Sequence, residues 1–413
     1  MAGSPSSGGD GEAGSYSAAG PALGYLAQVE YALLLMLQRM ETTEDLELSI
    51  ETLDDVTFHD GDDPIEQFQT KHSINRHASL GDTSTDLWKT IHNWIKEAAV
   101  NHAALFLMTT ATADDNTIAN RLRAGAGRDT GAALIALERV ARTATGATNA
   151  DYYTAFLGLP PEERAALVER IKVVDGAANA VDLTAALLLA VRKAVRPQRR
   201  EALVERLRGW WHGRAINHLD LVARHHLDRV SLAEVEGRLN EISESLRDGN
   251  LPIDFAQMPD PGPDAADTDT RIFVEQLRLV CMANARVRQC IYDHNRAYAQ
   301  RSKWLREDLV TVGELGNYDA LLQDEWRRHF TSVHGTPPAV IDDEPLHQAR
   351  ERFAQLDRSA LPRIRPEVSA GYVGSGSLHV LADRLVIGWH PEWLEHLKHR
   401  LDEVGVGAAQ EAA

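Results

Sequence analysis

Two cysteines are all that the 413 residues contain. Cys281 and Cys290 sit nine apart in a helical pattern with no second pair nearby, which excludes a disulfide framework and a cysteine-ligated zinc site and leaves them as small buried hydrophobes. Histidine is more frequent, at 17, yet no pair takes the spacing of an HExxH site. His225 and His226 are adjacent, about 100° apart on a helix, which is poor geometry for one metal. Long apolar runs are missing as well. A-L-L-L-M-L from Ala32 and T-A-A-L-L-L-A-V from Thr184 fall far short of the roughly 20 residues that span a bilayer. The opening M-A-G-S-P-S-S-G-G-D-G-E-A-G-S has neither a basic start nor an apolar segment, so residues 1–20 read as a disordered tail, not a signal peptide, and a cytoplasmic location without membrane attachment is expected.

Basic residues are outnumbered, 43 against 61 acidic, for a formal charge of -18. Phosphate binding is driven by Lys and Arg with release of counterions, so this balance excludes a dedicated nucleic-acid coat, though not a local patch. The clearest patch runs from Arg192 to Arg214 in R-K-A-V-R-P-Q-R-R-E-A-L-V-E-R-L-R-G-W-W-H-G-R, where an exposed helix face is the alternative. No G-x-x-x-x-G-K-[ST] loop exists, and A-G-A-G-R-D-T-G from Ala124 lacks the following Lys-Ser/Thr, which excludes a P-loop motor. A G-x-S-x-G elbow is absent too; G-S-G-S-L from Gly374 has the wrong fifth residue. No fixed-period repeat is evident.

What is present is a soluble composition, 44% hydrophobic and 25% charged, in a chain long enough for two or three domains. The stretch richest in chemistry runs from Glu51 to His72. At period two, residues 46–58 read as one strand, D-G-D-D-P as a turn, and Ile65 to His72 as a second strand. On a regular strand Glu51, Leu53 and Asp55 share one face, Ile50, Val56 and Phe58 the other, and Asp54 points away from Asp55 unless a bulge exchanges them. Gln69 and Lys71 share a face by the same parity. A carboxylate, an amide oxygen and an ammonium on one ribbon suit a hard divalent cation and a phosphodiester; solvated residues on an edge strand are the plain alternative.

Around the ribbon, Leu23 to Met40 carry apolar residues at helical spacing, with Gln28 among them. T-S-T-D-L-W-K-T-I-H-N-W-I-K-E-A-A opens with capping residues and an early Asp and places Leu87, Ile91, Trp94 and Ile95 on one helix face. Trp88 and Trp94 read as packing residues. Ala103 to Met108 form a short apolar strand, followed by a helix over Asn116 to Leu122.

Four segments in this order carry a resemblance: G-Y-L-A-Q-V-E-Y-A-L-L-L-M-L from Gly24, S-I-E-T-L-D-D-V, I-E-Q-F-Q-T-K-H, and S-T-D-L-W-K-T-I-H-N-W from Ser84. They resemble the PD-(D/E)xK restriction-endonuclease-like superfamily in its QxK variant, and more narrowly the double-stranded-DNA endonuclease domains at the N-termini of bacterial anti-phage effectors. The resemblance covers about a quarter of the chain. It implies Asp55, with Asp54 as the alternative, and Gln69 as ligands to Mg²⁺ or Mn²⁺. Glu51 is implied as an accessory acid on the same face, and Lys71 as the group that orients water or offsets charge on phosphorus. Gln28 is implied as a polar residue lent by the first helix, with Glu30 as its rival. Gln in place of an acid lowers the charge of the metal site and leaves an inactive scaffold as the other outcome.

Beyond Gly125 strand signals nearly vanish. Ala133–Thr143, Pro161–Ile171, Leu183–Val195 and Arg199–Leu219 show helical spacing, and Ser231 caps a further helix. L-P-I-D-F-A-Q-M-P-D-P-G-P-D-A-A-D-T-D is loop, helices run from Thr270 to about His334, G-S-G-S-L-H-V-L-A-D reads as irregular or weakly stranded, and a last helix covers Pro391 to Leu401. L-R-G-W-W-H-G-R-A-I from Leu207, D-G-N-L-P-I-D-F from Asp248, N-R-A-Y-A-Q-R-S-K-W-L-R-E-D-L from Asn295 and H-V-L-A-D-R-L-V-I-G-W-H-P from His379 resemble C-terminal domains of ABC-three-component defence systems. That resemblance implies an ABC-type ATPase and a small middle component as partners. It carries no catalytic residue. Arg296, Arg301 and Arg306 are candidates for a phosphate or an acidic surface, while Tyr298 and Trp304 read as packing.

The expectation is an α/β restriction-endonuclease-like domain over 21–125, a helical middle region over 126–250, a helical ABC-three-component-type domain over 251–404 and a tail over 405–413. The expected activity is Mg²⁺-dependent endonucleolytic cleavage of double-stranded DNA, controlled by the helical C-terminal region and partner proteins, with a homo-oligomer among the expected assemblies; the alternative is a non-catalytic DNA-sensing or adaptor component acting with an ATPase partner.

Overall fold

A computed structural model describes residues 19–43, 45–71, 79–97, 101–177, 182–330, 344–390 and 392–400. The chain divides into two compact units, Met1–Ala194 with Val204–Asn240 and Val195–Leu203 with Glu241–Ala413. The expected tails over 1–20 and 405–413 lie almost wholly outside the described residues, as does His72.

The first unit contains α1 (Ala19–Arg39), β1 (Glu47–Ile50), β2 (Val56–Asp60), β3 (Asp63–Lys71), α2 (Thr85–Glu97), β4 (Ala104–Thr109), α3 (Ile118–Arg121), α4 (Thr130–Thr143), α5 (Ala150–Gly158), α6 (Pro161–Arg170), β5 (Ile171–Val174) and α7 (Asp182–Ala190). It continues through α8 (Arg200–Ala223), β6 (Val230–Ser231) and α9 (Leu232–Ser245), with the division falling inside α8 and α9. The strands form one mixed sheet in the order β5-β4-β3-β2-β1-β6. β1, β2 and β3 run as an antiparallel meander, and β4 and β5 add in parallel.

The apolar face of α2 meets the sheet as its spacing requires. Leu87, Trp88, Ile91 and Trp94 pack with Leu105, Leu107, Ile171 and Val173 into one core. The Trp88 ring sets its edge on Tyr153 at 4.6 Å, so Trp88 and Trp94 are packing residues. Even-numbered residues of β3 face the other way: Phe68 stacks on Phe106 at 4.5 Å, and Glu66 pairs with Arg39 of α1 at 2.5 Å.

Residues 46–58 do not make one strand. β1 stops at Ile50, Glu51 takes a left-handed conformation (φ 56°), and the Glu51 amide donates to the Asp55 carbonyl at 3.2 Å, closing the loop before β2 starts. Ile50 then faces Val56 across the hairpin. The apolar positions on either side of this loop, Leu48 and Ile50 before it and Val56 and Phe58 after it, keep the same even phase, which is why the pattern reads as a single element; the polar pairs Glu51-Thr52 and Asp54-Asp55 interrupt it and mark the turn. Parity therefore does not decide where Asp54 and Asp55 point, and the register shift that does occur lies lower, at Phe58/His59. The following turn falls where expected but is tighter, with Gly61 at positive φ between Asp60 and Asp63, and β3 takes in Asp63 and Pro64 ahead of Ile65.

The sheet also reaches past residue 125. β5 pairs with β4 through Leu105↔Ile171, and β6 pairs with β1 through Leu48↔Val230. Strands of four and two residues are too short to show a period. Beyond the reach of β6, His218 of α8 serves β1: its Nε2 accepts the Ile50 amide at 2.9 Å while Nδ1 donates to Asp228 at 2.8 Å.

The second unit is helical among its described residues: α10 (Ala265–Thr268), α11 (Ile272–Leu279), α12 (Asn284–Arg306), α13 (Val312–Phe330), α14 (Glu344–Arg358), α15 (Gly371–Asp383) and α16 (Trp393–His396). G-S-G-S-L-H-V-L-A-D is thus helix and not weak strand. A Cβ on Gly376 would lie 2.1 Å from the Asp293 carbonyl and 2.6 Å from Ala297 Cβ, so glycine lets α15 lie directly against α12. Close packing outweighs the roughly 1 kcal/mol that each glycine costs a helix. The expected last helix shrinks to α16 and a turn of 3-10 helix at Lys398–Arg400. The L-P-I-D-F loop is fixed by α12: Gln300 Nε2 and Trp304 Nε1 both donate to the Pro252 carbonyl, at 3.1 and 2.8 Å.

Candidate functional site

The loop between β1 and β2 forms one wall of an open cleft of about 290 Å³, lined by Glu51, Thr52, Leu53, Asp54 and Asp55 with Asn93 and Lys96 of α2. Each of the three carboxylates is held differently. Asp55 Oδ2 accepts the Thr70 amide at 2.6 Å and the Thr70 hydroxyl at 2.7 Å. Asp54 Oδ1 accepts the Asp55 amide at 3.0 Å, and its Oδ2 accepts the Trp94 indole N–H at 2.7 Å. Glu51 Oε1 accepts Gln28 Nε2 at 2.9 Å, and the same nitrogen reaches the Asp55 carbonyl at 2.9 Å.

Burial raises the Asp54 pKa to about 6; the Trp94 hydrogen bond opposes that rise, the Asp55 charge adds to it, and Lys71 trims it. Asp55 Oδ1 and Glu51 Oε2 have no protein partner among the described residues.

Where the expected residues fall is mixed. Gln28 is buried on α1 and braces the loop through Glu51 and the Asp55 carbonyl, while its rival Glu30 is tied to Arg208 at 2.6 Å and so is not a rival ligand in this arrangement. Asp55 meets β3 at Thr70, the residue between Gln69 and Lys71. Gln69 is buried and is not among the residues lining the cleft. Lys71 contributes to the field at Asp54 but lines a separate cavity of about 10 Å³ with Thr70, Gly24, Ala27 and Tyr31.

Among the described residues no group of three or more His, Cys, Asp or Glu side chains forms a metal cage. Glu51 and Asp55 still offer hard, anionic oxygens at an open surface. That donor set fits a cation such as Mg²⁺, which takes one or two protein carboxylates and completes its shell with water and phosphate oxygens.

The basic stretch expected from Arg192 to Arg214 is largely committed. Lys193 pairs with Glu41, Arg208 with Glu30, Arg214 with Asp228 and Glu234, and Trp211 is buried with its indole on the Val29 carbonyl. Thr70, Trp94, Asn93 and Lys96 are the site residues that sequence reasoning missed. The last two were accessible from spacing, since positions 93 and 96 lie opposite the apolar face of α2.

Residues 273–397 match the family model of C-terminal domain 7 of the ABC-three component (ABC-3C) systems. The match covers α11 to α16 of the second unit and none of the cleft. No curated protein and no solved structure matches the chain. Within the ABC-three-component segment, the arginines singled out above divide. Arg301 is buried and paired with Asp319 at 2.7 Å, and Arg296 pairs with Asp293 at 2.5 Å while lying over the rings of Tyr292 and Tyr372. Arg306 is exposed. Trp304 is fully buried, whereas Tyr298 is half exposed and is not a core residue.

Proposed function

We propose that the chain is an effector of an ABC-three-component anti-phage system whose N-terminal unit hydrolyses DNA phosphodiesters with Mg²⁺ or Mn²⁺. The observation that carries this reading is the cleft in which Glu51, Asp54 and Asp55 face Asn93 and Lys96. The restriction-endonuclease-like resemblance is supported by the order of elements, a helix, an antiparallel meander, a second helix and a parallel strand.

In this reading Asp55 and Glu51 hold the cation through their uncommitted oxygens, and the cation supplies charge neutralisation at the scissile phosphate. Thr70 fixes the Asp55 carboxylate, Gln28 fixes Glu51, and Trp94 fixes Asp54, so the oxygens are arranged before substrate arrives. Lys71, beside Thr70, adds positive potential behind the acids. The ABC-three-component match supports partner components; in this reading an ABC-type ATPase and a middle component are among them and gate cleavage.

The competing reading is a non-catalytic adaptor that senses DNA. It is favoured by Gln69, which stands where an acid would strengthen the metal site and is buried away from the cleft lining. Supercoiled plasmid incubated with Mg²⁺ or Mn²⁺ separates the two. Cutting by the wild type that is lost in Asp55→Asn supports the nuclease. No cutting, alone or with the partner proteins, leaves the adaptor.

A further inference from the structure

We propose that the exposed face of α2, Lys89, Asn93 and Lys96, is the surface that grips the DNA backbone and delivers one phosphate to the cleft. This rests on the nuclease reading and specifies its substrate contact.

The three positions follow helical spacing, at four and then three residues, and so share one face. Their opposite face, Leu87, Trp88, Ile91 and Trp94, is in the core, so the polar face is fixed in place by packing. Lys89 and Lys96 are exposed. None of the three has a hydrogen-bond or ion-pair partner among the described residues. That is informative for Lys96, because it lines the same cleft as three carboxylates and forms no ion pair with them. Space for a ligand separates the two walls.

A phosphodiester fits that space by chemistry. The ammonium and the amide donate N–H groups to phosphate oxygens, while the acid wall repels the phosphate until a cation intervenes. The seven steps from residue 89 to residue 96 extend about 10 Å at 1.5 Å per residue, the axial rise of about three nucleotides of one strand. In a chain with a charge of -18 a short basic strip also sets orientation, since DNA is repelled by most of the surface.

The test is fluorescence anisotropy of a labelled 20-bp duplex with the full chain in Ca²⁺, across a salt series. Lys89→Ala with Lys96→Ala is expected to weaken binding at least about tenfold and to lower the slope of log K against log salt by about 1.8, two phosphate contacts' worth. Asn93→Ala is expected to weaken binding a few-fold without changing the slope. Lys96→Arg is expected to stay within about twofold of the wild type, which a merely structural lysine would not require of charge alone. If the wild type binds duplex and the double variant keeps both its affinity and its slope, the strip is not the contact surface and only this proposal falls. If the wild type binds no duplex in any divalent cation, the nuclease reading falls and takes the strip with it.

Discussion

Polar groups are used in opposite ways by the two units. At the cleft of the first unit Glu51 and Asp55 each keep one oxygen without a protein partner among the described residues, and Asn93 and Lys96 keep their donors, as does Lys89 one turn before Asn93 on α2. In the second unit three arginines are tied into the fold. Arg365 donates to Glu314 and to the carbonyls of Asn250 and Leu309, Arg271 to Asp269, His294 and Asn295, and Arg301 to Asp319. Side chains that satisfy one another inside a fold specify that fold; side chains left open at a cleft are free to meet a ligand. The contrast is what the proposed function draws on in assigning the chemistry to the first unit.

The most damaging way to test that division is to disturb the tightest packing in the second unit. Gly376→Leu drives a side chain into the Asp293 carbonyl, where even a Cβ would sit at 2.1 Å. Loss of about 3 kcal/mol or more is expected, seen as a lower urea midpoint for the tryptophan signal of that unit. Amide exchange of α2 and the β-strands in the first unit should stay as in the wild type. If those strands lose protection equally, the two units are not separate in stability.

Next in size is the cleft itself. Asp55→Asn keeps an acceptor for Thr70 but removes the charge, so folding stability should change by less than about 1 kcal/mol. Cleavage of plasmid, on the proposed function, should fall on the order of 10²- to 10³-fold. A variant that unfolds as readily as it loses activity would make Asp55 a structural residue.

Acid separates the units through their histidines. Burial, reinforced by His294, Arg286 and Arg271, holds the His379 pKa down to about 3, and burial with Arg271 holds His294 at about 4, against the pull of Asn295 and Asp269. Both values lie below the unfolded value near 6.5, so the unfolded chain takes up the protons first. The stability they contribute is complete above about pH 6.5 and is lost as pH falls toward 4 and then 3. Asp383, whose carboxyl burial raises, offsets part of this. In the first unit His59, held by burial to about 4, acts in the same direction, but Asp54 at about 6 takes its proton in the folded state and acts in the other. Hydrogen exchange followed from pH 7 to pH 4.5, corrected for intrinsic rate, should therefore show the second unit loosening first. Equal loosening would mean that other groups dominate.

How much of this was legible beforehand depended on whether a residue's surroundings are local. Trp88, Leu87 and Ile91 disclose their burial by spacing, and Ser231 discloses the start of α9 by its hydroxyl, which accepts the Glu234 amide at 3.1 Å. The acids at 54 and 55 were identifiable, but their partners were not. Thr70, Trp94 and Gln28 reach them from 15, 40 and 27 residues away. The loop at 51–55 was hidden because the apolar positions of β1 and β2 on either side of it stay in phase. α15 was hidden because Gly376 reports a partner helix about 80 positions earlier in the chain, and β5 and β6 are strands only because β4 and β1 are there to pair with them.

The smallest expected effect sharpens the comparison from the other side. Arg224 pairs with Asp220 one turn earlier on α8 at 3.0 Å, with both side chains more than half exposed. Water and salt screen such a pair, and holding two long side chains in register costs entropy, so Arg224→Ala should shift stability by no more than about 0.5 kcal/mol. Arg301 is the same residue type in the opposite setting. Its side chain is 8% exposed, and its partner Asp319 is 18% exposed. Arg301→Ala leaves that carboxylate partly buried and uncompensated, and about 3 kcal/mol is expected. Urea midpoints of the two variants give the ratio directly. A ratio near one would mean that the closed ion pairs of the second unit contribute no more than surface charges, and that its architecture rests on the apolar contacts of α12 and α15 alone.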